Sequence, residues 1–220
     1  MCVLAFCEKR KMTQREFFNC ASANDDGIGF GFNKNGKQAF IKGFMDANKA
    51  WEIYKRFPDK PHIVHFRLGT AGSVTPKLTH PFICTETSNL LLSYEGISPI
   101  LFHNGCLASW EHYAKQYNIP VNENMSDTRC LAMLIAKLGT KEAFNLFYGG
   151  KFIILQNGTA YLRGDFIDES GVRFSNSGYK YSYMYGFSRK SKTTKTTTTN
   201  KVATLVTPQT ATVPKRVKMY

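Results

Sequence analysis

The chain has 220 residues, of which 43% are hydrophobic and 14% aromatic, and it carries a formal net charge of +13. That is enough apolar material for one large domain, or one domain with an appendage, while no apolar run approaches the ~18 residues of a membrane span. Six cysteines (Cys2, Cys7, Cys20, Cys84, Cys106, Cys130) occur with no CxxC pair and no tight Cys/His cluster, which excludes a disulfide-dense secreted scaffold and a structural zinc site and points, for five of the six, to buried reduced thiols in a cytoplasmic protein.

The opening MCVLAFCEKRK places its basic residues after a short apolar run. A secretory signal has them before a longer one, so Cys2 is expected to remain in the mature protein. Short apolar or alternating runs follow, namely VLAF, IGFGF, HIVHF, LLLSY and PILFHNG, each flanked by Gly, Pro, Asn or Ser; they read as strands. Helical patterns cover Met45 to Phe57, Leu107 to Tyr117 and Ser126 to Gly139. The last begins with a capping Ser or Asp and ends at glycine. KFIILQNGTAYLRG reads as a hairpin turned by Asn157-Gly158, a type I′ signal. Mixed rather than strictly alternating order predicts an α+β fold with mostly antiparallel sheet. The glycines of GIGFGF do not have the GxGxxG spacing and no helix follows them, so no phosphate-binding loop is expected and no cofactor is implied.

The composition changes after Tyr185. Residues 186–220 hold eight basic residues and no acidic one, leaving 21 basic against 16 acidic, a balance of +5, in 1–185. A Thr/Lys-rich segment of this kind cannot bury enough apolar area to offset its ordering entropy and is expected to be a disordered tail. It suits contact with nucleic acid or an acidic partner, but the plainer reading, a solubilising tail, is preferred because a basic low-complexity segment is a weak motif.

If the initiator methionine is trimmed, Cys2 becomes an N-terminal residue with a base built in. Its α-amine, with an ordinary pKa of ~7.7 to 8.0, can take the thiol proton directly or through one water. Four further segments stand in order behind it: HFRLGTAG (His65 to Gly72), THPF (Thr79 to Phe82), HNG (His103 to Gly105) and SDT (Ser126 to Thr128). Together with Cys2 they resemble the glutaminase domain of class II glutamine amidotransferases, which are N-terminal-nucleophile hydrolases, and the resemblance runs to about Tyr179. NDDGIGFGF and FSNSGY add softer likeness to the short members that begin MC.

The resemblance implies a four-layer αββα sandwich over 1–185. It implies that Cys2 attacks the side-chain amide carbon of glutamine to form a γ-glutamyl thioester, which water then hydrolyses. Asn104 and Gly105 would donate to the oxyanion. Arg67 would clamp the substrate α-carboxylate and Asp127 would hold its α-ammonium, with Thr70 and His80 supporting the pocket. Each residue has a plainer reading beside this: a strand-ending turn for HNG, a strand-end surface arginine for Arg67, a helix cap for Asp127, a fixed turn for His80 before Pro81. His65 and His103 read as structural.

The sequence departs from the sugar-phosphate-making members at Leu68 and Ala71, where they have tryptophan and histidine, which alters the pocket wall. Arg129 replaces an acid after SDT and is expected to add positive charge near the mouth. No synthetase domain follows, so the implied partner is a separate ammonia-accepting synthetase. The rival readings are an N-terminal-cysteine hydrolase of another γ-glutamyl or peptide-like amide, and a catalytically silent scaffold whose basic tail binds nucleic acid.

Overall fold

A computed structural model describes residues 1–69 and 73–181, within the unit Met1–Phe187. Thr70, Ala71 and the expected tail from residue 186 onward lie outside the described residues. None of the described helices is long and apolar enough to cross a membrane.

The chain begins with β1 (Val3–Cys7) and α1 (Gln14–Ala23). Thr13 opens that helix with a capping box: Glu16 N–H donates to Thr13 Oγ1 at 3.2 Å and Thr13 N–H donates to Glu16 Oε2 at 2.7 Å, which satisfies two donors the helix leaves unpaired. A hairpin of β2 (Ile28–Lys34) and β3 (Lys37–Phe44) follows, turned at Asn35-Gly36, both at positive φ. Then come α2 (Ala47–Tyr54), capped by Asp46, and β4 (His62–Phe66).

A 3-10 turn at Pro76–Leu78 leads into β5 (Phe82–Ile83), β6 (Ser93–Gly96) and β7 (Ile100–Asn104). Of the expected strand LLLSY, only Ser93 and Tyr94 are in β6; Leu91 and Leu92 are half exposed in the approach to it. The next elements are α3 (Trp110–Gln116), α4 (Asp127–Leu138) and α5 (Thr140–Asn145). The hairpin β8 (Lys151–Gln156) and β9 (Thr159–Arg163) turns at Asn157 (φ 50°) and Gly158 (φ 73°), the geometry a type I′ turn requires. β10 (Ile167–Glu169) and β11 (Val172–Phe174) end the sheets. The run FSNSGY is strand only as far as Phe174, and a second 3-10 turn takes over at Gly178–Tyr181.

Seven strands pair in the order β10-β11-β1-β4-β2-β3-β6 and four in the order β5-β7-β8-β9, every pair antiparallel. Because side chains alternate along a strand, each central strand feeds two cores. Leu4, Phe6 and Ile63 meet Ile100, Phe102, Ile153 and Leu155 between the sheets. Val3, Ala5, Val64 and Phe66 point the other way, against Phe17, Cys20, Ala50 and Tyr54 of α1 and α2. Leu101, Phe152 and Ile154 pack on α4 and α5 through Leu131, Leu134, Ile135, Ala143 and Phe144. Three cores between four layers make an αββα sandwich, as the motif resemblance implied.

Candidate active site

Cys2 stands at the mouth of β1, and the antiparallel pairing of Val3 with Phe66 carries the chain leaving β4 past it. Leu68 therefore meets the thiol twice: Sγ donates to its carbonyl at 3.4 Å and accepts from its N–H at 3.3 Å. The stretch after β4 is held in turn by Asp26, whose Oδ2 accepts from Gly69 N–H at 2.7 Å, while Arg67 exchanges backbone bonds with Asp26 and Gly27. Cys2 is only 8% exposed, whereas Met1 is 77% exposed. Burial pushes the thiol pKa up; the bond from Leu68 and the charges of the N-terminus and Arg67 oppose that shift.

Cys2 opens on a cavity of about 30 Å³ that is also lined by Arg67, His80, Gly105 and Asp127, room for a water molecule or two. Arg67 donates from Nη1 to Ser73 O at 3.0 Å, so an incoming carboxylate would compete with a backbone carbonyl for its guanidinium. Asp127 is in the first turn of α4. Its neighbour Ser126 is the cap, accepting from Arg129 N–H at 3.2 Å, which leaves the aspartate to add its charge to the positive helix end. Asp127 Oδ2 accepts from Leu107 N–H at 3.0 Å, and Oδ1 accepts from the Thr128 N–H at 2.7 Å and hydroxyl at 3.2 Å.

Three histidines lie under this floor. The His80 ring is 4.0 Å from that of His65, and neither of its nitrogens has a partner among the described residues. His65 Nε2 bonds to the His103 carbonyl at 3.0 Å. His103 Nδ1 meets Thr128 Oγ1 at 2.9 Å and its ring stacks on Phe152 at 4.6 Å. Burial drives His65 down to about 3 and His103 down to about 4, Asp127 opposing the latter shift. Gly105, at φ +155°, passes so close that a Cβ there would stand 2.7 Å from His103 Nε2; only glycine fits.

The structure thus brings together Cys2, Arg67, His80, Gly105 and Asp127 of the residues singled out in the sequence. Asn104 is not among the lining residues; its Nδ2 donates to Ser175 Oγ at 2.9 Å. Thr70 is outside the described residues. Arg129 does not reach the mouth: it is buried and donates to the carbonyls of Ser88, Thr87 and Asn124, because its position on α4 faces the loop before β6. Sequence reading took His103 as structural and Thr128 only as the end of SDT, so it missed both as lining residues, and it missed Asp26 as the brace of the Arg67 loop. Lys42 was missed as well. It is 4% exposed, with Nζ donating to the carbonyls of Thr79 and Pro81 at 2.9 Å each, on either side of His80. Among the described residues no group of three or more His, Cys, Asp or Glu side chains could hold a metal ion.

No protein-family profile matches the chain, and no curated protein sequence matches it. Solved structures do. A glutamine phosphoribosylpyrophosphate amidotransferase from B. subtilis, complexed with ADP and GMP, superposes with a TM-score of 0.56 at 18% identity, over 79% of this chain and 41% of that one. A structure described as the allosteric regulatory enzyme of purine biosynthesis gives a TM-score of 0.58 at 18% identity, with the same coverages. This chain therefore spans about two fifths of each neighbour's length. At that identity the likeness shows the architecture: two antiparallel sheets between helices, the N-terminal-nucleophile hydrolase type of fold found in glutamine phosphoribosylpyrophosphate amidotransferase.

Proposed function

We propose that this chain hydrolyses the side-chain amide of glutamine through an N-terminal cysteine, and that the ammonia passes to a separate synthetase. The observation that carries the reading is the convergence of Cys2, Arg67, Gly105 and Asp127 on one cavity from positions up to 125 residues apart in sequence. Removal of exposed Met1 would turn the Cys2 nitrogen into a free amine beside the thiol. That amine takes the Sγ proton as sulfur attacks the amide carbon, and returns it to the departing nitrogen, so that ammonia leaves and a thioester remains. Water then adds to the thioester carbonyl, its proton goes to the amine, and the C–S bond breaks to give glutamate and the thiol.

The other residues are assigned by charge and shape. Arg67 presents a fork to the α-carboxylate, and Asp127 presents its carboxylate to the α-ammonium. Gly105 N–H and the Asn104 carboxamide, whose Nδ2 gives one proton to Ser175 Oγ and has a second to offer, are assigned to the oxyanion of both tetrahedral intermediates; one such donor is worth ~2.7 to 4 kcal/mol of barrier. The cavity must widen to admit an amino acid, and displacement of Arg67 from the Ser73 carbonyl is the step that binding energy has to drive.

The test is glutamate release from glutamine by purified protein, with the N-terminus read by intact mass. The expected result is loss of the initiator methionine and activity that disappears in Cys2→Ala. Turnover that survives this substitution, or a correctly trimmed protein that leaves glutamine intact while hydrolysing a different γ-glutamyl amide, would overturn the assignment.

A further inference from the structure

Two neighbouring residues after β11, Ser175 and Asn176, are bonded to both halves of the proposed chemistry. Asn176 Nδ2 donates to the carbonyl oxygen of Cys2 at 2.8 Å, and Asn176 Oδ1 accepts from Gly178 N–H at 3.0 Å, which fixes the plane of its amide. Ser175, fully buried, is tied to β1 in both directions: its N–H donates to Leu4 O and its Oγ accepts from Leu4 N–H, each at 2.9 Å. The same Oγ accepts from Asn104 Nδ2 at 2.9 Å. One dipeptide therefore holds the nucleophile's own carbonyl, the strand two residues beyond it, and the carboxamide of the residue assigned to the oxyanion.

We propose that Ser175 and Asn176 are positioning residues that fix Cys2 and Asn104 relative to each other; this rests on the function proposed above. A serine hydroxyl offers one donor and two acceptor sites. Leu4 and Asn104 fill the acceptor sites, while Asn104 Oδ1 is buried without a partner among the described residues. A half-turn of that carboxamide would place Oδ1 before the Ser175 hydroxyl proton and put Nδ2 at the buried position that Oδ1 now holds. In either orientation the plane of the Asn104 amide is set by Ser175, and without the hydroxyl that amide loses its anchor. A donor displaced by ~1 Å can cost up to ~100-fold in rate.

The experiment compares glutamine hydrolysis by the full chain carrying Ser175→Ala, Asn176→Ala, Asn104→Ala, or Ser175→Ala with Asn104→Ala. Ser175→Ala is expected to lower kcat by roughly ten- to a hundredfold with KM changed less than about twofold. If Ser175 acts through Asn104, the double variant is no slower than Asn104→Ala alone to within about twofold, since the two losses are one loss. Losses that multiply, or a Ser175→Ala enzyme with unchanged kcat, would overturn the proposal. Should Ser175→Ala fail to fold, partly exposed Asn176→Ala decides by the same kcat criterion. If the unsubstituted protein shows no Cys2-dependent hydrolysis, the function proposed above is what has failed. Positioning is then read from the rate at which iodoacetamide alkylates Cys2, expected to change several-fold in Asn176→Ala and overturned by an unchanged rate.

Discussion

Gly29 and His80 meet with no room for a side chain between them: a Cβ on Gly29 would stand 1.9 Å from the His80 carbonyl oxygen and 2.9 Å from Lys42 Cβ. The obstacle at His80 is backbone, which cannot rotate aside, and the turn it belongs to lines the cavity. Gly29→Ala must therefore push the His80 turn away from β2, and overpacking of this kind costs about 3 kcal/mol. For a chain of this size that corresponds to a thermal midpoint lower by roughly 10 °C. Thermal melts of the two proteins check it; a midpoint within about 2 °C of the original would mean the turn is not pinned.

That contact shows what the sequence could and could not convey. The GIGFGF run was legible as a strand, and the Asn157-Gly158 turn as a hairpin, because both are local signals. The convergence of Cys2, Arg67, Gly105 and Asp127 was legible only through the order of five motifs, since nothing in their spacing states which strands pair. Helix α1 was missed although Thr13 and Glu16 have capping-box spacing and Phe17, Cys20 and Ala21 fall on one face; the basic run before it reads as solvent-exposed loop. Lys42 was missed for a related reason. It shares a face of β3 with Phe40, where alternation predicts burial, but a lysine in that pattern is read as surface. Ser175 and Asn176 were visible only as letters of FSNSGY, with no sign of what they hold, because their partners Leu4 and Cys2 are more than 170 residues away.

Lys42 gives a second prediction. Its Nζ is held by two carbonyls and lies 4.5 Å from the Phe82 ring centroid, and the charges that act on it, Arg129 and Arg67, are both positive. Burial, with those charges adding, lowers its pKa from 10.5 to about 7. Between those values the unfolded chain binds a proton that the folded one has released, so stability rises with pH, by at most about 1.4 kcal/mol per unit. Lys42→Met lacks this term. Urea unfolding at pH 7, 8 and 9 is expected to show the original protein gaining on the variant as pH increases, and parallel stabilities across that range would contradict it.

The buried histidines set an acid limit. Burial lowers His65 to about 3, His103 to about 4, and shifts His62 and His80 downward. Each is neutral in the fold and has an ordinary pKa near 6.5 when unfolded, so the unfolded chain takes up protons first as pH falls. Their contribution is complete above about 6.5 and is lost from there toward 4, each group adding up to about 1.4 kcal/mol per pH unit. Denaturant midpoints should be level from pH 8 to 7 apart from the Lys42 effect, then fall steeply between 6 and 5. A midpoint unchanged down to pH 4.5 would show that these rings are protonated or exposed in the fold.

Arg67 separates binding from chemistry. Its assigned task is to hold an α-carboxylate that does not change during the reaction, so its contribution is equal in the ground and transition states. Arg67→Ala should therefore raise KM, by on the order of tenfold to a hundredfold for a lost charge-assisted pair, and leave kcat within about threefold. Arg67→Lys keeps the charge and loses the fork, so it should fall between the two. The control is glutaminamide, in which the α-carboxylate is an uncharged amide: the original enzyme should bind it poorly, and Arg67→Ala should no longer discriminate against it. If Arg67→Ala instead lowered kcat with KM unchanged, the guanidinium would be acting on Cys2, whose thiolate form its charge favours, and the carboxylate would have to be bound elsewhere.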